Sequence, residues 1–171
     1  MSEPTTPDRA RWNAKHAAAG QMLPSIPLLT LQARLAPGLA LDLAGGRGEN
    51  AAVLSLAGWK VVLADLSEEA LARAGRRSAE LKADVHRVQA DALRLPFCGP
   101  FDLIVAANFL ERGIAPELER LLAPGGTLFC EQPLSGAYAI RPGEIRQLFP
   151  SLETLVLNEE GERAVYLGRK P

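Results

Sequence analysis

The chain has 171 residues, a length that suits one domain, and its 47% hydrophobic and 23% charged residues match soluble globular chains and exclude an extended disordered protein. Nineteen Lys and Arg against twenty Asp and Glu leave a net charge of −1, without the basic excess of a general nucleic-acid or membrane-surface binder. The longest wholly apolar run, Leu103 to Ala107, falls far short of the ~20 residues of a membrane span.

Residues 1–8, rich in Pro and Thr, read as a disordered tail with no basic-then-apolar leader pattern. The rest, 9–171, reads as one domain: a helical cap over 9–36 and a core over 39–171. In the cap, Arg9 to Ala19 forms a short helix stopped by Gly20, and Leu28 to Leu35 has helical spacing. In the core, Leu39 to Ala44 is a buried strand broken by glycines. Glu49 to Ala57 is a helix ended by Gly58, and Lys60 to Ala64 is a β-branched strand. Ser67 caps a helix running to about Leu81. Asp84 to Ala90 alternates as a weaker strand, and Phe101 to Ala106 is the clearest buried one. Ile114 to Leu122 is a helix stopped at Pro124-Gly125-Gly126, followed by a strand from Thr127 to Glu131. Pro142 opens a helix to Phe149. Leu152–Leu157 and Arg163–Gly168 form an antiparallel hairpin. Five βα repeats and a terminal hairpin predict an α/β, Rossmann-like, doubly wound and mostly parallel sheet with helices on both faces. Cys98 and Cys130 sit in apolar contexts and read as reduced core thiols of a cytoplasmic protein. They and His16 and His86 lack metal-ligand spacing, so no metal is expected.

Ligands of such sheets bind beyond the carboxyl ends of the strands. After the first strand comes Ala44-Gly45-Gly46-Arg47-Gly48-Glu49-Asn50, where small residues allow close approach to a helix N-terminus. Gly46 to Ala51 formally fits a dinucleotide fingerprint, and a tight ligand-free turn fits it as well. Asp65 follows the second strand, nineteen residues after Gly46, where an acid accepts from ribose hydroxyls. Its expected setting is a solvent-open strand end. Asp91, after the third strand, suits the exocyclic amine of a base. Asn108 stands where the central crevice opens.

Charge separates two nucleoside cofactors. NAD brings an anionic pyrophosphate to the first loop, whereas S-adenosylmethionine brings a sulfonium and an ammonium. Asp42 lies within the first strand, two residues before the loop. A carboxylate there repels the first and attracts the second. Asp42 and Asp65 would thus bracket the methyl donor at its methionine end and its ribose.

The ordered set Leu41 to Asn50, Val62-Leu63-Ala64-Asp65-Leu66-Ser67, Gln89-Ala90-Asp91-Ala92, Phe101 to Val105 and Leu121 to Leu128 resembles the class I S-adenosylmethionine-dependent methyltransferases. Gly48 to Ala51, Ala57 to Val61, Trp12-Asn13 and Arg141 to Glu144 are most similar to the small tellurite-resistance-type and thiopurine-like members. Ala44 and Gly45 depart from the usual pattern, Ala44 standing where many members carry glycine. The resemblance implies a seven-stranded sheet whose last strand is antiparallel. It also implies cofactor contacts from Asp42, Ala44, Gly45, Gly46, Gly48, Asn50, Asp65, Leu66, Asp91, Ala92 and Asn108.

Methyl transfer is an in-line displacement governed by positioning and electrostatics. No convincing base stands out, which favours a small soft acceptor such as a thiol or chalcogen compound. Candidate acceptor residues are Trp12 and His16 on the first helix, Phe109, and Tyr138 and Arg141 on a loop with Gly136. The first helix is expected to cover the acceptor rather than the adenosine. Glu131 and Gln132 either line the pocket or cap the fifth strand. The catalytic residue is left open. The expected partner is a small-molecule methyl acceptor, with no nucleic acid and no membrane, and the protein a monomer or weak homodimer. A nicotinamide-dependent oxidoreductase and a non-catalytic cofactor-binding module stay open as alternatives.

Overall fold

The computed structural model describes residues 6–18, 20 and 22–171. Two helices, α1 (Thr6–Ala18) and α2 (Ile26–Gln32), precede the sheet. Then follow β1 (Leu39–Leu43), α3 (Glu49–Leu56), β2 (Lys60–Asp65), α4 (Glu68–Leu81), β3 (Val85–Gln89) and β4 (Phe101–Ala107). A 3-10 turn at Arg112–Ile114 leads into α5 (Ala115–Leu121), β5 (Leu122–Pro133), α6 (Glu144–Leu148), β6 (Glu153–Asn158) and β7 (Arg163–Arg169). The strand order is β3-β2-β1-β4-β5-β7-β6, with β7 antiparallel to both neighbours and the first five strands parallel. The expected doubly wound sheet with its terminal hairpin is therefore present.

Alternation along the buried strands feeds two apolar layers. Leu41, Leu43, Ile104, Leu128 and Cys130 face α5 and α6. Ala40, Leu63, Leu103, Val105 and Phe129 face α2, α3 and α4. Trp59 belongs to the second layer, its indole N–H donated to Gln32 Oε1 at 3.1 Å. Ser67 caps α4 as expected, accepting the Ala70 N–H.

Four expectations need correction. Helix α1 begins at Thr6, so residues 6–8 are helical rather than part of a tail; residues 1–5 lie outside the described residues. The third βα repeat has no helix, because 90–100, with Pro96 and Gly99-Pro100 in it, joins β3 directly to β4. Strand β5 starts at Leu122, not Thr127: Leu122 pairs with Phe101 and Thr127 with Leu103, so Pro124-Gly125-Gly126 bulges within the ladder. Cys98 is exposed on the β3–β4 connection, and only Cys130 is a core thiol. Burial in that dry layer raises the Cys130 pKa. No helix among the described residues is long and apolar enough to cross a membrane.

Candidate active site

The sheet changes direction between β1 and β4, and a cleft of about 1010 Å³ opens at their carboxyl ends. Its floor is the loop from β1 to α3. Ala44 and Gly46 take left-handed conformations there (φ 49° and 58°), which turn the chain and bare its backbone. Gly45 admits no side chain: a Cβ would lie 2.5 Å from Asp42 Oδ2 and Leu63 Cδ1. The turn is fastened from β2, where Asp65 Oδ2 accepts the Gly46 N–H and Oδ1 the Ser67 N–H, both at 2.8 Å. Asp65 is thus buried and already bonded, not a solvent-open strand end.

Asp42 also differs from expectation. Its carboxylate is buried beneath Gly45, is absent from the cleft wall, and neither oxygen makes a hydrogen bond of normal geometry. Burial pushes its pKa up to about 7; the Ala51 amide opposes this, and Asp65 and Glu49 add to it. Gly48 is off the wall too, taking up the left-handed N-cap of α3 against Ala74.

The other expected cofactor residues, Ala44, Gly45, Gly46, Asn50, Asp65, Leu66, Asp91, Ala92 and Asn108, all line the cleft. Asn50 also anchors the cap, since its Oδ1 accepts the Ser25 N–H at 2.8 Å and pins the segment that leads into α2. Asp91 Oδ1 closes a turn onto the Leu93 N–H.

Helix α1 closes one side. Asn13 Oδ1 accepts from Ser67 Oγ at 2.6 Å, and Arg73 Nη2 donates to the Ala17 carbonyl at 2.9 Å, so α1 is strapped to α4. His16 lies directly over Gly46, within 3.1 Å of the position its Cβ would take. Burial lowers the His16 pKa, with Asp65 opposing and Arg47 and Lys15 reinforcing. The helix therefore covers the glycine loop as well as the far cleft, which corrects the expectation that it covers the acceptor side alone. Lys15 Nζ sits 4.3 Å from the Trp12 ring and 5.8 Å from the Tyr138 ring, bridging α1 to the 134–140 loop.

Trp12, His16, Phe109 and Tyr138 line the cleft as expected, but Arg141 does not. Its side chain points into solvent and its backbone N–H is held by Glu144, which also binds Arg112. These partners hold the Glu144 carboxyl well below the usual carboxylate range.

Arg163, on β7, is a cleft residue that sequence reasoning did not single out. Its Nε donates to Glu131 Oε1 at 2.7 Å and its Nη2 to Asn108 Oδ1 at 2.5 Å. Asn108 has φ 59° and is held by its own N–H on the Glu131 carbonyl. Gln132 Nε2 fixes the same bend through the carbonyls of Ala106 and Phe109. Glu131 and Gln132 thus both line the cleft and brace the end of β4.

The bared loop, the carboxylate at the end of β2 and the covering helix make a cleft that suits a nucleoside, and the family match decides which kind. Residues 40–126 match the model described as "Methyltransferase domain". The chain belongs to this methyltransferase domain family. A demethylmenaquinone methyltransferase of Thermus thermophilus is 40% identical over 116 residues, covering 61% of this chain and 53% of that protein. A ubiquinone/menaquinone biosynthesis C-methyltransferase UbiE of Vibrio vulnificus is 33% identical over 138 residues, 70% of this chain and 52% of that protein. The chain thus spans about half the length of the curated relatives it matches. Among solved structures, TehB of Haemophilus influenzae superposes with TM-score 0.78 at 18% identity, over 95% of this chain and 67% of TehB. The magnesium protoporphyrin IX methyltransferase ChlM of Synechocystis PCC 6803, with bound S-adenosylmethionine, superposes with TM-score 0.75 at 16% identity, over 100% and 99%. At such identities these two show the fold.

The methyltransferase domain takes S-adenosylmethionine, and the nicotinamide alternative falls with that match. The site fits the cofactor: small residues bare the backbone at Ala44 to Gly46, and Asp65 keeps lone pairs free beside its two amide bonds.

Proposed function

We propose that the chain catalyses S-adenosylmethionine-dependent methylation of a small molecule, by alignment and electrostatics rather than by a strong side-chain base. The single observation that carries this reading is the continuous cleft that joins the Gly46–Asp65 loop to the braced end of β4 at Asn108. When bound, the cofactor supplies an electrophilic methyl group on a positively charged sulfur. Asp65, Leu66, Asp91 and Ala92 would hold the nucleoside, and Ala44, Gly45 and Gly46 would admit the methionine end. Asp42 would act from beneath as a buried counter-charge. Trp12, His16, Phe109 and Tyr138 would surround the acceptor and exclude water, which strengthens the fixed charges of the site.

A thiol or chalcogen acceptor suits this arrangement, since its anion reacts without a base. A second reading, an acidic enol carbon, is favoured by the 40% identity to the demethylmenaquinone methyltransferase. Methyl transfer from labelled S-adenosylmethionine to thiols, selenols and hydroxyquinones tests both. Transfer to some member is expected. Cofactor binding with no transfer to any of them would favour the non-catalytic binding module.

A further inference from the structure

We propose that Arg163 and Asn108 form an anion-docking subsite, so that the methyl acceptor is an apolar small molecule bearing an acidic group. This rests on the methyltransferase reading and names the substrate class of the same cleft. Arg163 is a donor-only side chain, so its Nη2 contact fixes Oδ1 as the Asn108 atom that faces it. Asn108 Oδ1 thus accepts from Arg163, which leaves the Nδ2 group as a donor. Arg163 itself uses Nε and Nη2 on Glu131 and Asn108, while Nη1 makes no hydrogen bond among the described residues. Two donors, Nη1 and Nδ2, are thus left on residues that line the cleft, and Glu131 holds the guanidinium in place through Nε. Such a pair receives an oxygen or sulfur anion.

The apolar part of the ligand comes from a separate observation. Of the nine large apolar side chains exposed among the described residues, five (Met22, Leu23, Ile26, Leu93 and Tyr138) line this cleft. An apolar rim around a polar anchor suits an amphiphilic acid. The shared chemistry is a carboxylate-like anion, and the cofactor's own methionine carboxylate is the other source of it.

Calorimetry with benzoate and its neutral isostere benzamide, on protein loaded with S-adenosylhomocysteine, separates these cases. Benzoate should bind about tenfold or more tightly than benzamide, as charge-assisted paired bonds allow. Arg163→Gln should abolish that preference while S-adenosylhomocysteine affinity changes by less than about threefold. Arg163→Lys keeps the charge but loses the fork, and should reduce the preference; it carries the test if the Gln variant fails to fold. Equal binding of the two probes, or a preference unchanged in both variants, overturns the proposal. A loss of S-adenosylhomocysteine affinity of about tenfold in the variants assigns the subsite to the cofactor's carboxylate and overturns it equally. If unaltered protein binds no S-adenosylhomocysteine, the methyltransferase reading fails instead. The benzoate preference of the unloaded protein then still decides the subsite.

Discussion

Asp65 Oδ2 accepts the Gly46 N–H at 2.8 Å, tying the end of β2 to the loop that follows β1. The same carboxylate takes the Ser67 N–H, so one side chain organises the glycine turn and the start of α4 together. Asp65→Ala leaves both buried amides without a partner. We expect a stability loss of ~2–4 kcal/mol and a cofactor affinity lower by one to two decades, the first read by denaturant unfolding and the second by calorimetry. A lowered affinity with unchanged stability would mean that the loop holds itself.

Asp42 provides a pH signature. Its pKa is raised from 3.8 to about 7 in the folded protein, so the folded state prefers the neutral form. The stability linked to that proton is complete below pH 3.8 and is lost as pH rises through about 7, by up to ~4 kcal/mol. Asp42→Asn should therefore stabilise the ligand-free protein at pH 8 and leave it unchanged near pH 4. S-adenosylmethionine and S-adenosylhomocysteine differ by the sulfonium charge. The same variant should weaken the first more than the second, and equal weakening would remove Asp42 as a counter-charge.

Helix α1 lies over Gly46 and is bonded to Ser67, which places it beside the cofactor loop. Removing residues 1–20 should lower S-adenosylhomocysteine affinity as well as turnover. His16 adds a pH dependence: its folded pKa is below the ordinary 6.5, so its share of stability is present above 6.5 and is lost as pH falls through the lowered value. Tryptophan emission from Trp12, measured between pH 7 and 5 with His16→Gln as the control, should show α1 loosening only in the unaltered protein.

Ala44 holds a left-handed conformation that costs an alanine ~1 kcal/mol or more. Ala44→Gly removes that strain while adding freedom to the unfolded chain. The net expectation is a gain of up to about 1 kcal/mol with cofactor binding retained, read from the denaturation midpoint. Ala44→Val should destabilise, because a β-branched side chain tolerates this conformation least.

The fold was legible because its signals are local. Buried parallel strands such as Phe101 to Ala107 are short apolar runs between glycine-, proline- or polar-rich turns, and each was found. The start of β5 was not, because Pro124-Gly125-Gly126 reads as a stop whereas the β4 ladder absorbs it as a bulge. The cofactor loop was legible from its small residues and the nineteen-residue spacing to Asp65. What that spacing leaves out is depth: Asp42 and Asp65 are both acids near a glycine turn, yet one is sealed beneath it and the other bonded to it. Arg163 carried no local signal at all. It reaches Glu131 and Asn108 only through the antiparallel pairing of β7 with β5, across 32 and 55 residues of sequence.

The point at which the sheet reverses also divides how the two halves of the cleft can change over generations. Loops after β1, β2 and β3 are mutually tied, so alteration at one disturbs the others. The opposite wall is assembled from the ends of β4 and β5 and from β7, a strand wedged between β5 and the edge strand β6. Its turns at 134–143 and 159–162 share no bond with the Gly46–Asp65 tie. On the proposed reading this wall receives the acceptor, so divergence in specificity should accumulate on the hairpin side of the reversal while the methyl-donor side is kept.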